Sequence, residues 1–337
     1  MFNRRIFKVF IIAAVLVILF GGAIFLARKN FFPIIKEQPI LDKKENTCQN
    51  YSEQLLNTQT SQKYDDYWLF LPADCETEIK KAPLVVMLHG WGSTDVAKSK
   101  DWIKHLTAKG NIVVFPFYEE RGLENLGRGD WVVFAQRTAK VIKDAIVWLQ
   151  GIKGIQPDLD KFVLTGGSMG AFIAINLSAI WPENNLPEPK VIMLIHPPQR
   201  FLAETLKTPQ NIPSNAFLSC FVADQDIIAA RGGCDTIWQL TGQVQKRDYI
   251  WECSDNYSEP RIRAGHIPLG GPENNLETYG YWKTLDGLID CAFYDKNCEQ
   301  GFGDTAEHRY LGQWPDGTPV KELKISKEPP LISPCGK

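Results

Sequence analysis

Apolar residues fall in short unbroken runs separated by stretches with helical spacing. Leu84–Leu88, Ile112–Phe117, Phe162–Leu164, Val191–Ile195, Ala216–Val222 and Tyr249–Glu252 are such runs. Their length and continuity fit strands covered on both faces. Between them, Trp131–Gln150 carries Val132, Val133, Ala135, Val141, Ile142, Ala145, Ile146 and Leu149 at the spacing of one helix face. Residues 97–109, Ala171–Ile180 and a stretch around 234–245 read as further helices. Strands alternating with helices predict an α/β fold, with a mainly parallel central β-sheet and helices on both faces. Right-handed crossovers then gather the carboxyl ends of the strands on one side, where such sheets usually place chemistry. Tyr64–Leu71 reads as an edge strand or hairpin arm ended by Pro72. The proline-rich link from Ile195 to Ala216 is too short for a large cap domain.

The amino terminus departs from this rhythm. Val9–Ala27 is an uncharged run of nineteen residues, preceded by Arg4, Arg5 and Lys8 and followed by Arg28 and Lys29. A bilayer core takes roughly 20 apolar residues in a helix, so residues 1–29 are expected to form a transmembrane signal anchor. The charge bias favours an inside amino terminus, with the rest of the chain outside the cytoplasm. Cleavage after Gly21-Gly22-Ala23, giving a secreted protein, is the alternative. Residues 30–62 read as a polar spacer and 63–337 as the folded domain, with a turn-rich strap from Gly312 onward. All eight cysteines lie after the anchor, and an even number in an exported chain permits disulfides. A local Cys291–Cys298 bridge is the first expectation. No CxxC pair occurs, and Cys291 and Cys298 with His308 match no zinc spacing, so neither metal nor cofactor is expected.

The charge balance, 37 Lys+Arg against 39 Asp+Glu, lacks the footprint of a nucleic-acid binder. At 44% hydrophobic and 23% charged, the chain is not a disordered one. Gly166-Gly167-Ser168-Met169-Gly170 follows the strand 162–164 and opens the helix 171–180. G-x-S-x-G is weak alone, but a strand turning sharply into a helix strains its central residue and exposes the serine hydroxyl. Flanking glycines relieve the crowding, and the helix amino terminus favours developing negative charge. His89-Gly90-Trp91-Gly92 ends the strand 84–88. Its loop is expected to supply one oxyanion donor, the Trp91 amide, and the elbow the other, the Met169 amide. His89 reads as structural.

A nucleophilic serine needs a base and an orienting carboxylate. After Ser168 only His196, His266 and His308 remain. His266 follows the strand 249–252 in a loop and is the expected base. His196 reads as a loop or core residue, and His308 as a surface or packing one. Two acids, Asp224 and Asp226, follow the strand 216–222 and both qualify by position. Arg128-Gly129-Asp130-Trp131 reads either as the mouth of the site or, through Asp130, as a helix N-cap. Asn256-Tyr257-Ser258 is a glycosylation acceptor pattern.

In the order His89-Gly90-Trp91-Gly92, Gly166–Gly170, Ala223-Asp224-Gln225-Asp226 and Gly265-His266, the chain resembles the α/β-hydrolase superfamily over about residues 64–295. Matching Ala223–Asp226 to the G-x-x-D pattern of many members selects Asp226 as the acid, with Ala where Gly is common and Asp224 as the fallback. Relatives with a cysteine nucleophile, such as dienelactone hydrolases, differ because this chain has Ser168. The resemblance implies a serine esterase or lipase-like hydrolase acting on small-molecule or polymer-borne carboxylic esters. Combined with the amino terminus, it implies a membrane-anchored enzyme facing outward. A peptidase or acyltransferase on the same fold, and a non-catalytic binding protein, are the alternatives.

Overall fold

The computed structural model describes residues 48–57, 66–119, 131–200, 202–266 and 275–336. The expected anchor at 9–27 and the Arg128–Asp130 motif lie outside the described residues. Among the described residues no helix is long and apolar enough to cross a membrane.

Nine strands form one sheet: β1 (Cys48–Asn57), β2 (Asp66–Cys75), β3 (Lys81–Leu88), β4 (Ile112–Pro116), β5 (Gln156–Gly167), β6 (Pro189–Ile195), β7 (Phe217–Ala223), β8 (Lys246–Glu252) and β9 (Lys324–Ser326). Their order is β1-β2-β4-β3-β5-β6-β7-β8-β9. The pairs from β4 through β8 are parallel, while β1 and β2 at one edge and β9 at the other join antiparallel.

The unbroken apolar runs are explained by two buried faces. In β3, Leu84, Val86 and Leu88 enter one core cluster, whereas Val85 and Met87 enter the other. β4 divides likewise, Ile112 and Val114 against Val113 and Phe115. Successive strand residues point to opposite sides, so a strand covered twice has no polar phase. Helices α2 (Trp131–Gly151), α3 (Met169–Ile180) and α4 (Gly232–Leu240) supply the first cluster. Helices α1 (Lys100–Ala108) and α5 (Lys283–Tyr294) supply the second. Almost every residue of α3 is buried, so this helix lacks a polar face.

Three boundaries differ from the sequence reading. β1 lies within the stretch read as a spacer, so the sheet begins at Cys48. β2 runs on through Pro72 to Cys75. β4 pairs only with Tyr67–Phe70 of β2, and past that point a proline has no ladder partner to deprive on that side. The strap contributes β9, and α5 with the π-helical stretch Leu276–Trp282 before it packs over the second face. Between β6 and β7 the described chain makes only two short turns, Leu202–Thr205 and Pro209–Asn211, so no cap domain is inserted there.

All eight cysteines are paired: Cys48–Cys75, Cys220–Cys234, Cys253–Cys335 and the expected Cys291–Cys298. Four disulfides are characteristic of an oxidising, extracytoplasmic compartment.

Candidate active site

The elbow at the end of β5 is built from close backbone approach. Ser168 has φ 54° and ψ −118°, outside the regions open to most L-residues at low energy. Such a conformation costs on the order of 1–3 kcal/mol and persists only when its surroundings impose it. The Ser168 amide donates to Ile195 O at 2.8 Å, tying the turn to the end of β6. A Cβ on Gly166 would come within 2.5 Å of Gly170 C, and one on Gly170 within 2.1 Å of Leu88 O. Both glycines are therefore required by packing. Together they press the start of α3 against the end of β3.

The hydroxyl so presented meets an imidazole from a distant loop. His266 Nε2 lies 2.8 Å from Ser168 Oγ, and its Nδ1 lies 2.8 Å from Asp226 Oδ2. The other oxygen of Asp226 accepts from the amides of Ile228 and Ala229 at 2.8 and 2.9 Å. Burial by itself raises the Asp226 pKa. Hydrogen bonds from His266, Ala229 and Ile228, with the His266 charge, outweigh it and hold the carboxyl at about 2. The Asp226 side chain has no exposed surface, while that of His266 is 13% exposed.

Asp224 occupies a different place. Its two oxygens accept from the amide and hydroxyl of Ser254, at 3.0 and 2.6 Å. Ser254 Oγ in turn accepts from the Ala264 amide, and the Gln225 amide donates to Ala264 O. Asp224 thus ties down the loop that carries His266 without touching the ring. The strap assists from outside. Trp314 Nε1 and the Lys321 amide both donate to Asp255 Oδ2, and Cys335 closes its disulfide on Cys253.

Trp91 follows β3 in a tight turn closed by Ser93 N–H to Gly90 O. The Gly92 amide donates to Glu119 Oε1 at 2.6 Å, which fixes this loop. Burial raises the Glu119 pKa to about 7, against the lowering effect of that bond. His89 is fully buried, stacked on Tyr118 at 4.2 Å, with Nδ1 donating to Gly90 O. It stands 3.6 Å from Glu119, but burial lowers it to about 4, so the contact is not an ion pair at neutral pH. Met169 opens α3, where the first amides of a helix lack intrahelical acceptors. His308 is buried between Gly303 O and Thr284 Oγ1, in a packing role.

One further histidine, read from the sequence as a loop or core residue, lies beside these groups. His196, at φ 50°, is fully buried at the end of β6 with its Nε2 2.6 Å from Glu252 Oε2. Donor atoms of His196, Asp226 and His266 lie within 4.8 Å of one another. His266 has both nitrogens turned to Asp226 and Ser168, so an ion held by these three residues would have to displace one of those bonds. The available signal was Glu252 itself, an acid that follows the apolar run Tyr249–Trp251 at the end of β8.

No family model matches the chain, and no curated protein matches it. Among solved structures, an esterase from the fungus Rhizomucor miehei is 15% identical, with a TM-score of 0.53 over 82% of this chain and 97% of that one. A dipeptidyl aminopeptidase IV-like protein from Bacteroides ovatus is 14% identical, with a TM-score of 0.43 over 60% of this chain. The chain spans about a third (32%) of that protein's length. At 15% identity the likeness to the esterase is one of fold alone, and the mainly parallel sheet with its elbow after β5 is the α/β-hydrolase fold.

Proposed function

We propose that the chain is a serine hydrolase of carboxylic esters, acting through Ser168, His266 and Asp226. The observation that carries this reading is the continuous link from Asp226 through His266 to Ser168, with both contacts at 2.8 Å. Ser168 Oγ attacks the acyl carbon as His266 Nε2 takes its proton. Asp226 holds the tautomer with the proton on Nδ1 and stabilises the imidazolium. The amides of Met169 and Trp91 receive the oxyanion, a contribution typically worth about 10²–10³ in turnover per donor. His266 returns the proton to the leaving alkoxide, and a water activated by the same ring then releases the acid. Among the described residues the link from β6 to β7 holds only two short turns, which supports a site suited to bulky or polymer-borne esters.

The same reading places the domain outside the cytoplasm, anchored by residues 9–27. The apolar run and the four disulfides support it. Membrane fractionation of the full chain beside a chain starting at residue 30 tests the anchor; equal release of both into the soluble fraction refutes it. Fluorophosphonate labelling of wild type and Ser168→Ala tests the chemistry. Labelling that vanishes in the variant, followed by turnover on an ester panel, is expected. Folded wild type that takes no label favours a binding protein of this fold.

A further inference from the structure

Two consecutive residues past the end of β4 grip the loop that follows β3. The Tyr118 hydroxyl donates to His89 O at the start of that loop, and Glu119 Oε1 accepts from the Gly92 amide at 2.6 Å. Both side chains are buried, and burial, with the Glu119 charge, keeps the Tyr118 phenol protonated and therefore a donor. Between the two grips lies Trp91, whose amide is the proposed oxyanion donor on this side of the site. The loop is a four-residue turn, Gly90–Ser93, closed by the Ser93 amide on Gly90 O at 3.0 Å. Gly92, in its third position, has φ 71°, the left-handed value that a type II turn requires. Types I and II differ in which way the peptide between the second and third residues faces. Here that is the Trp91–Gly92 peptide, and its N–H is the one that Glu119 holds.

The preceding peptide, Gly90–Trp91, is held by its oxygen. Gly90 O accepts from the Ser93 amide and from His89 Nδ1, the latter at 2.8 Å. A trans peptide is planar, so fixing Gly90 O aims the Trp91 N–H in the opposite direction. The two peptide planes that meet at the Trp91 Cα are thus each pinned, the first by His89 and Ser93 and the second by Glu119. We propose that Glu119 is a positioning residue, which holds the turn in one peptide orientation and so presets the Trp91 amide for the oxyanion. This role rests on the hydrolase reading and on Trp91 as a donor. An oxyanion donor acts best when it needs no reorganisation at the moment of reaction. The role requires no particular charge on Glu119, because a carboxyl group keeps acceptor capacity in either protonation state. What it requires is an acceptor oxygen at that reach.

The test is steady-state ester hydrolysis by wild type, Glu119→Ala, Glu119→Asp and Glu119→Gln, with urea unfolding of each. Ala removes the acceptor, Asp keeps the carboxylate but withdraws it by one carbon–carbon bond, about 1.5 Å, and Gln keeps an oxygen at the original reach. Ala and Asp should lower kcat about 10- to 100-fold, less than the loss of a donor outright, with KM within about twofold. Losing an interaction made only in the transition state lowers kcat and kcat/KM together, which a merely structural role would not do. Gln should recover kcat to within about threefold of wild type, and fluorophosphonate labelling of Ser168 should slow in the same order across the four proteins. If the Ala variant does not fold, Asp against Gln carries the comparison. A folded Ala or Asp variant with full kcat overturns the proposal, and so does a Gln variant as slow as Ala or an effect confined to KM. A wild type that neither labels nor turns over fails the hydrolase reading itself, and the positioning role falls with it.

Discussion

Replacing Gly170 by alanine tests whether elbow packing, rather than sequence pattern, sets the site. The new Cβ would lie 2.1 Å from Leu88 O, 2.6 Å from Leu88 C and 2.7 Å from His89 O, whereas ordinary contact begins near 3.4 Å. All three atoms are backbone, so no side chain can swing aside. Relief requires α3 and the end of β3 to part by about 1.3 Å at the carbonyl oxygen. Overpacking of this kind costs about 1–3 kcal/mol, and a backbone-on-backbone clash belongs at the upper end. The same displacement separates Ser168 on the elbow from Trp91 on the loop after β3. A misplacement of about 1 Å can cost on the order of 10²-fold in rate. Urea unfolding should therefore show a loss near 3 kcal/mol, and fluorophosphonate labelling of Ser168 should slow about 100-fold. Gly151→Ala is the control, since a Cβ there meets nothing within 4 Å. It should leave labelling intact and stability unchanged or slightly raised. A Gly170→Ala protein within about 0.5 kcal/mol of wild type that labels at full rate would refute the argument.

Other expectations follow from the same geometry. Asp226→Asn should lower ester turnover by about 10⁴, as loss of the orienting charge does in such triads, while Asp224→Asn should keep most of it and chiefly loosen the 254–266 loop. The opposite order would overturn the assignment of the acid. Glu119 has a folded pKa of about 7 against an ordinary 4.5, so its ionisation opposes folding: stability falls as pH rises from 4.5 to 7 and is level beyond. Glu119→Gln should then match wild type near pH 4 and exceed it by about 2–3 kcal/mol at pH 8; a pH-independent difference in urea midpoints would contradict this. Removing Cys253–Cys335, which spans 82 residues, should cost about 4–5 kcal/mol, against about 2 for Cys291–Cys298, which spans 7. Equal losses in denaturant titrations would show that chain entropy is not the controlling factor.

The α/β class was legible because a strand buried on both faces must be apolar at every position. β3, β4, β6 and β7 therefore announce themselves whatever surrounds them. The elbow was legible because its glycines and serine are fixed by local backbone geometry. Where burial is partial, the pattern fades. β1 exposes most of its side chains, Leu55 among them, so it carries no two-residue apolar rhythm and reads as spacer. β9 has three residues and exists only because β8 offers an edge. Position alone left Asp226 and Asp224 both open, and it was the resemblance that selected Asp226. Only the fold brings His266 from 40 residues away onto one of them and Ser254 onto the other. His196 and Glu252, 56 residues apart, likewise become a pair only when β6 and β8 flank β7. Sequence determined the elements and the serine elbow through local sterics and burial, whereas partner choice among distant polar groups was decided by strand order and loop packing.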